Sequence, residues 1–230
     1  IFVTKGQPVP DYFLEAARDS RVPVILSRRS TKEVYRRLKP FLESALAPST
    51  NLHGSLADVY GIGLLFMGES GVGKSECVLD LVERGHRLVA DDLVLVSRRG
   101  NDILIGRGHE LQRHHMEIRG VGIIDIPTLF GVRAVRQQKR IEVVVKLELW
   151  DAKRGYSRTG LEEDETDILG VSVPRVTVPL NPGKNITVIS EVVAMNHLLK
   201  YAGVNSAQFF DQRLKANMKP VRDYLEQDYE

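Results

Sequence analysis

The chain has 230 residues, 43% of them hydrophobic, which is enough to bury the core of one large domain or of one domain plus a fragment. Its 32 basic and 30 acidic residues leave a net charge of only +2, which disfavours nucleic acid as a partner. No apolar run approaches 18 residues, no signal peptide is recognisable and Cys77 is the single cysteine, so we expect a cytoplasmic protein without a membrane partner.

Residues 1–48 have a pattern typical of the end of a small αβ domain whose beginning is missing. The pattern predicts two helices with a strand between them, and the second helix runs from Thr31 to about Leu46. The polar stretch 48–51 predicts a linker. We therefore expect residues 1–48 to be the C-terminal part of an N-terminal domain with a linker helix, and residues 49–230 to be a second domain that ends in helices.

The most informative stretch follows an apolar run at residues 62–67 and fits the phosphate-binding pattern G-x-x-x-x-G-K-[ST]. The eight residues of this 68–75 loop are Gly68, Glu69, Ser70, Gly71, Val72, Gly73, Lys74 and Ser75. The apolar run predicts a buried parallel strand, and residues 74–83 predict a helix. In a nucleotide site of this type, Lys74 would lie along the β- and γ-phosphates, and the Ser75 hydroxyl would ligate Mg²⁺.

A second stretch, residues 86–92, predicts an apolar strand that ends in two carboxylates and continues after them through residues 94–96. Next to a phosphate-binding loop, such a strand end resembles a Walker B element. Asp91 and Asp92 are consecutive, so on a strand they would face opposite sides and only one would meet the γ-phosphate. A carboxylate beside metal and phosphates can accept a hydroxyl proton, which contributes about 10²- to 10⁴-fold to the rate.

Downstream, Glu117 to Asp125 places two glycines, a glutamate and an arginine around an apolar strand, and such glycines suggest close backbone approach. The pattern also predicts a half-exposed strand over residues 140–150 and a mobile, acidic surface loop over 151–170. The last predicted elements are a strand at 171–178, a helix at 186–201 and a helix from residue 205 or 206 to 218.

Taken together, the 68–75 loop, Ala90-Asp91-Asp92, Glu117-Ile118-Arg119-Gly120 and Pro179 to Asn185 resemble, in order and spacing, the bacterial HPr kinase/phosphorylase family from residue 31 to about 217. The resemblance implies an enzyme that phosphorylates a seryl residue of the phosphocarrier HPr with ATP or pyrophosphate, and that removes this phosphate with inorganic phosphate. It also implies a homohexamer, and an α/β catalytic domain of mixed β-sheet with flanking helices, similar to phosphoenolpyruvate carboxykinase.

The resemblance assigns roles to individual residues. Lys74 becomes the phosphate lysine, Ser75 and Glu117 the Mg²⁺ ligands, and Asp92 the proton acceptor. Because only one of two consecutive aspartates on a strand can meet the γ-phosphate, Asp91 is left to orient or pair. His53 and Arg158 are also active-site positions in the family. Residues 116–125 are implied to shape both reactions, and Pro179 to Lys184 is implied to matter for phosphate removal.

Two other functions stay open on the sequence. A P-loop ATPase that moves a partner would need an arginine finger, and Arg158 is available for that role. A small-molecule kinase of carboxykinase-like fold would need a pocket for an anionic substrate, and Arg107, Arg113, Arg119 and Arg158 are available to build one. Turnover of ATP without a protein acceptor would separate these alternatives from a protein kinase.

Overall fold

The computed structural model describes residues 1–151, 153, 155–156, 164–181 and 183–227. The chain divides into two compact units, Ile1–Pro48 and Ser49–Glu230. Within the described residues, no helix is both long enough and apolar enough to span a bilayer.

The first unit is a small αβ structure. Its elements are β1 (Phe2–Val3), α1 (Asp11–Asp19), β2 (Ile25–Leu26) and α2 (Thr31–Ala45). The two short strands pair in parallel. The Ser30 side chain accepts a hydrogen bond from the backbone N–H of Glu33, so Ser30 is the N-cap of α2.

The second unit holds the remaining elements. In chain order they are β3 (Ser49–His53), β4 (Ser55–Val59), β5 (Ile62–Met67), α3 (Lys74–Glu83), β6 (Arg87–Ala90), β7 (Leu93–Arg99), β8 (Ile103–Gly108), β9 (His115–Ile118), β10 (Gly122–Asp125), α4 (Ile126–Phe130), β11 (Gln138–Arg140), β12 (Val143–Leu149), β13 (Asp164–Ile168), β14 (Val171–Leu180), α5 (Ile186–Tyr201) and α6 (Ser206–Gln227).

The main sheet has six strands in the order β13-β14-β12-β5-β4-β6. Its centre is parallel, since β12 pairs in parallel with both β5 and β14, whereas β4, β6 and β13 pair antiparallel with their neighbours. A second, antiparallel sheet has the order β11-β8-β7-β3, and β9 and β10 form a separate hairpin. The predicted mixed sheet with flanking helices is therefore confirmed.

Two apolar clusters cover opposite faces of the central strands. On β5, Leu64 and Phe66 belong to the cluster that includes residues of α3, whereas Leu65 belongs to the cluster that combines residues of both large sheets. Strand β12 divides in the same way, with Val145 in the first cluster and Val144 in the second. The strand predicted within residues 140–150 is present as β12, but its predicted half exposure is wrong, because a central parallel strand is covered on both faces.

Two further predictions are wrong for topological reasons. The predicted linker at 48–51 is largely strand β3, whose polar residues pair with β7. The strand predicted to continue from 86–92 into 94–96 is two strands in different sheets, because the chain reverses between them at Asp91 and Asp92. Local composition does not show which strand will supply the hydrogen-bonding partner.

Two predicted segments contain more structure than expected. Glu117 to Asp125 is not one strand, since β9 and β10 form a hairpin whose turn includes Gly120 at φ 84°. Within the predicted loop at 151–170, Asp164–Ile168 is strand β13, which pairs with β14. This edge strand is acidic where it is exposed, so its composition alone is also compatible with a loop.

Candidate active site

The 68–75 loop lies between the end of the central strand β5 and the start of α3, in the strand–loop–helix order predicted from the sequence. Gly73 is the N-cap of α3 and has φ 98°, a left-handed conformation that glycine adopts without the strain a Cβ would cause. The loop therefore ends in the first turn of a helix, where free backbone N–H groups favour anions.

Lys74, the first residue of α3, is only 6% exposed. Its Nζ donates hydrogen bonds to the carbonyl oxygens of Gly68 at 3.0 Å and Glu69 at 2.8 Å. Among the described residues this ammonium has no carboxylate partner. A buried cation that only neutral dipoles hold keeps its full charge available to an anionic ligand.

Asp91 lies where the chain leaves β6, and it is only 6% exposed. Ser55 Oγ donates to Asp91 Oδ1 at 2.5 Å, and Ser75 Oγ donates to the same oxygen at 3.0 Å. Burial raises the pKa of Asp91, and the hydrogen bonds from the two serines oppose that rise. Asp91 thus connects strand β4 to the first turn of α3.

Asp92 has a different environment from its neighbour. It has φ 63°, and its side chain is 57% exposed with Oδ1 3.1 Å from His53 Nδ1 at the end of β3. The backbone N–H of Gly54 donates to the Asp92 carbonyl at 3.0 Å, which fixes the turn. The side chains of Asp91 and Asp92 point to different environments, as expected. The cause is the tight reversal of the chain, and not the alternation of side chains along a strand.

The β9–β10 hairpin brings Arg119 to the 68–75 loop. Arg119 Nη2 donates to Ser70 Oγ at 3.3 Å. Glu117, two residues earlier on β9, is exposed and has no hydrogen-bond or ion-pair partner among the described residues. The predicted Mg²⁺ ligands Ser75 and Glu117 are therefore not hydrogen-bonded to each other, and the carboxylate that accepts from Ser75 is that of Asp91.

A charged cluster lies at the other end of α3. Arg84 Nε and Nη2 donate to the two carboxylate oxygens of Glu191 on α5, at 2.9 and 2.8 Å. His86 Nε2 is 3.1 Å from Glu191 Oε1. The hydrogen bonds from Arg84 lower the pKa of Glu191. Thr187 Oγ1 also donates to Asp80 Oδ2 at 3.1 Å, so α5 holds α3 at several points.

Sequence reasoning missed Ser55, the contact of Arg119 with Ser70, and the Arg84–Glu191 pair. Each of these contacts joins residues that are distant in the chain. Only the position of Ser55, directly after His53 and Gly54, was a signal that it lies near the site.

Two predicted features are described in part or not at all. Arg158 lies outside the described residues. In the described part of the turn at 179–185, Lys184 Nζ donates to the Pro179 carbonyl at 2.9 Å. The Asn185 side chain accepts from the Val188 N–H and caps α5.

The oxygens at the site have the chemistry that Mg²⁺ requires. Ser75 offers a hydroxyl and Asp91 a carboxylate, and both are hard oxygen ligands. No group of three or more His, Cys, Asp or Glu side chains among the described residues is arranged around a metal position. A site with few protein ligands fits Mg²⁺, which keeps several waters and is commonly shared with substrate phosphates.

The fold and the site define a mixed α/β protein in which a glycine-rich loop joins a central strand to a helix that begins with a buried lysine. The chain belongs to the HPr serine kinase family, since the family's C-terminal domain model matches residues 44–214. It is 50% identical over 214 residues to the HPr kinase/phosphorylases of Bacillus mycoides (strain KBAB4) and Bacillus cereus (strain B4264), which covers 93% of this chain and 69% of each relative.

A solved structure supports the same relationship. The Hpr(Ser) kinase/phosphatase from Coxiella burnetii is 34% identical and has a TM-score of 0.62. The match covers 70% of this chain and 98% of that one.

Proposed function

We propose that this protein is a bifunctional serine kinase and phosphorylase of HPr or an HPr-like protein, with ATP or pyrophosphate as phosphoryl donor. Its Bacillus relatives are named HPr kinase/phosphorylase. Half of the 214 aligned residues, which cover 93% of the chain, are identical in these relatives. The family model at 44–214 includes the whole described site. Such similarity favours a shared activity over a P-loop ATPase or a small-molecule kinase.

The observation that carries the proposal is the combination of groups at the start of α3. Lys74 is a buried cation with neutral partners. The exposed Asp92 beside His53 is a carboxylate that a protein substrate can reach. A cation for the phosphates and an accessible proton acceptor are the two groups that transfer to a serine hydroxyl needs.

We assign nucleotide binding to residues 68–75. Lys74 contacts the β- and γ-phosphates, and the backbone N–H groups at the start of α3 bind the remaining phosphate oxygens. Ser75 would hold Mg²⁺, with its carboxylate ligand supplied by Glu117, as the family resemblance implies, or by Asp91, which lies beside Ser75. When bound, the ion neutralises charge on the phosphates.

In the forward direction, the serine oxygen of HPr forms a bond to the γ-phosphorus as the bond from that phosphorus to the β-bridging oxygen breaks and ADP leaves. Asp92 accepts the serine proton. His53, 3.1 Å away, orients the carboxylate. Asp91 orients the Ser75 hydroxyl and does not itself meet the serine.

In the reverse direction, an oxygen of inorganic phosphate forms the bond to phosphorus, and the bond from phosphorus to the serine oxygen breaks. Pyrophosphate is the product. Asp92 gives a proton to the serine oxygen. Phosphorolysis is the reverse of phosphorylation by pyrophosphate, so the group that accepts the serine proton in that reaction also returns it. Arg158 is assigned to this site on the family resemblance alone.

The other expectations from the sequence are part of the same proposal. Residues 1–48 are the C-terminal part of an N-terminal domain with its linker helix, and residues 49–230 are the catalytic domain, similar in fold to phosphoenolpyruvate carboxykinase. The protein is cytoplasmic, assembles as a homohexamer and does not bind nucleic acid or membranes. Sedimentation velocity tests the assembly.

The activity is tested by incubating the protein with HPr, Mg²⁺ and ATP labelled in the γ-phosphate, and then by adding inorganic phosphate. We expect label on HPr in the first step and labelled pyrophosphate in the second. HPr with its acceptor serine replaced by alanine is the matched control. ATP hydrolysis at the same rate with and without HPr would instead favour the ATPase.

A further inference from the structure

Arg119 is a cation at the 68–75 loop that none of the steps above uses. Its Nη2 donates to Ser70 Oγ at 3.3 Å, and its guanidinium lies against Gly71. A Cβ added to Gly71 would be 2.6 Å from Nη1, so the guanidinium would have to move if this residue were larger, and its φ of 79° also favours glycine.

The core holds Arg119 in this position. It follows β9, in which Met116 is 1% exposed and belongs to the apolar cluster beneath α3, with Ile118 packed against the same cluster. The Val121 N–H donates to the Ile118 carbonyl at 3.0 Å and closes the turn that carries Arg119. The guanidinium is thus presented from an anchored hairpin, as a preorganised group must be.

The charge of Arg119 is not neutralised by the protein. Arg84 pairs with Glu191 and Arg136 with Asp58. Among the described residues, Arg119 has no carboxylate partner, and its one hydrogen bond goes to a neutral hydroxyl. An arginine in this state can still donate to an anion through several N–H groups.

Arg119 and Lys74 approach neighbouring residues of the loop. Lys74 Nζ is bonded to the carbonyl of Glu69, and Arg119 is bonded to the side chain of Ser70. Because the lysine of such a loop lies along the β- and γ-phosphates, the guanidinium lies near the same phosphates.

We propose that Arg119 contacts the transferred phosphoryl group and stabilises the negative charge on its equatorial oxygens during transfer. This inference rests on the proposed function. The arginine forms and breaks no covalent bond and keeps its proton throughout. Since the same phosphoryl group moves in both directions, Arg119 serves phosphorylation and phosphorolysis equally.

The test compares three variants with a matched control. Arg119→Ala removes the guanidinium, Arg119→Gln keeps a donor for Ser70 without the charge, and Arg119→Lys keeps the charge without the planar donors. Arg99→Ala is the control, since Arg99 is likewise exposed and donates to one neutral side chain, at 3.4 Å.

We expect Arg119→Ala and Arg119→Gln to lower kcat in both directions by about 10²-fold, with Arg119→Lys between them and the wild type. Arg99→Ala should stay near the wild type, and no variant should change Tm. Added guanidinium ion should restore part of the activity of Arg119→Ala. Activity of Arg119→Gln near the wild type would overturn the proposal.

A binding measurement separates this inference from the proposed function. ADP with aluminium fluoride imitates the transferred phosphoryl group and requires no HPr. We expect aluminium fluoride to tighten ADP binding to the wild type and much less to Arg119→Ala, while ADP alone binds both equally. If the wild type does not phosphorylate HPr but shows this difference, the proposed function fails and the role of Arg119 stands. An equal effect of aluminium fluoride on both proteins would refute that role.

Discussion

Helix α3 has a buried carboxylate near each end, and the two differ in what holds them. Asp91, 6% exposed, accepts hydrogen bonds from two serine hydroxyls at the start of the helix. Glu191, 7% exposed, pairs with Arg84 and His86 at its end. Burial raises the pKa of Asp91. The hydrogen bonds from the charged Arg84 lower the pKa of Glu191.

The partners of a buried charge indicate whether it serves ligand binding or the stability of the fold. Where a charge is paired with an opposite charge of the protein, as at Glu191, it is neutralised and is not available to a ligand. Where charges are held by neutral groups, as at Lys74 and Asp91, they can still interact with phosphates and a metal ion. The start of α3 therefore has the features of a site, and its end has those of a structural contact.

The largest expected effect comes from the lysine of the site. Lys74→Ala should reduce phosphoryl transfer to HPr by at least about 10³-fold, because the point charge on the β- and γ-phosphates is lost. Lys139→Ala is the matched control, since Lys139 is also buried but pairs with Glu142 at 2.9 Å. It should lower Tm and leave the rate unchanged. Near-normal transfer by the Lys74 variant would refute the assignment of the loop.

The next effect concerns the two aspartates. Asp92→Asn should lower both phosphorylation and phosphorolysis by about 10²- to 10⁴-fold, because one carboxylate accepts and returns the serine proton. Its side chain is exposed, so Tm should not change. Both rates are measured on the same preparation. A spared reverse rate would mean that Asp91, or no carboxylate, handles the proton.

A smaller effect is expected on metal affinity. Ser75→Ala should raise the Mg²⁺ concentration at half-maximal activity by about tenfold, since it removes an oxygen ligand. Titrating Glu117→Gln and Asp91→Asn beside it shows which carboxylate is a ligand. Glu76→Gln is the control, because Glu76 is exposed on the same turn of α3. Unchanged midpoints for Ser75→Ala and Glu117→Gln would refute the predicted ligand pair.

The smallest effects are on stability. Neutralising Glu191 and neutralising Asp91 should change Tm in opposite directions. The pKa of Glu191 is lowered in the folded state, so its stabilisation is present above its usual pKa of 4.5 and is lost as pH falls below that value. Glu191→Gln should therefore lower Tm at pH 7, on the order of 5 °C, and this deficit should shrink in acid.

For Asp91 the pKa is raised, so the ionised form costs stability at pH values above its usual 3.8. Asp91→Asn keeps an acceptor for both serines and should raise Tm at pH 7, with a smaller gain in acid. Calorimetry of both variants between pH 4 and 8 tests the contrast. A change of Tm in the same direction for the two variants at pH 7 would contradict this prediction.

Much of this site was predictable because it is encoded in contiguous residues. The 68–75 loop needs glycine at Gly73, a lysine and a hydroxyl at fixed spacing, and these requirements are visible in the sequence. The bounds of α3 and α5 were also predicted from their apolar periodicity and capping residues. These features depend on neighbours within a few residues, so no knowledge of the fold is required.

Only the tertiary structure decided how the polar residues are partnered. Ser55 meets Asp91 across 36 positions of the chain, Arg119 meets Ser70 across 49, and Arg84 meets Glu191 across 107. The sequence shows that these residues are polar, but not which strands and helices become adjacent. The partner determines whether a carboxylate has a raised or a lowered pKa. The sequence therefore determined where the proposed phosphate-binding loop lies, and the packing of β4, β9 and α5 around α3 determined which charges near it remain unpaired.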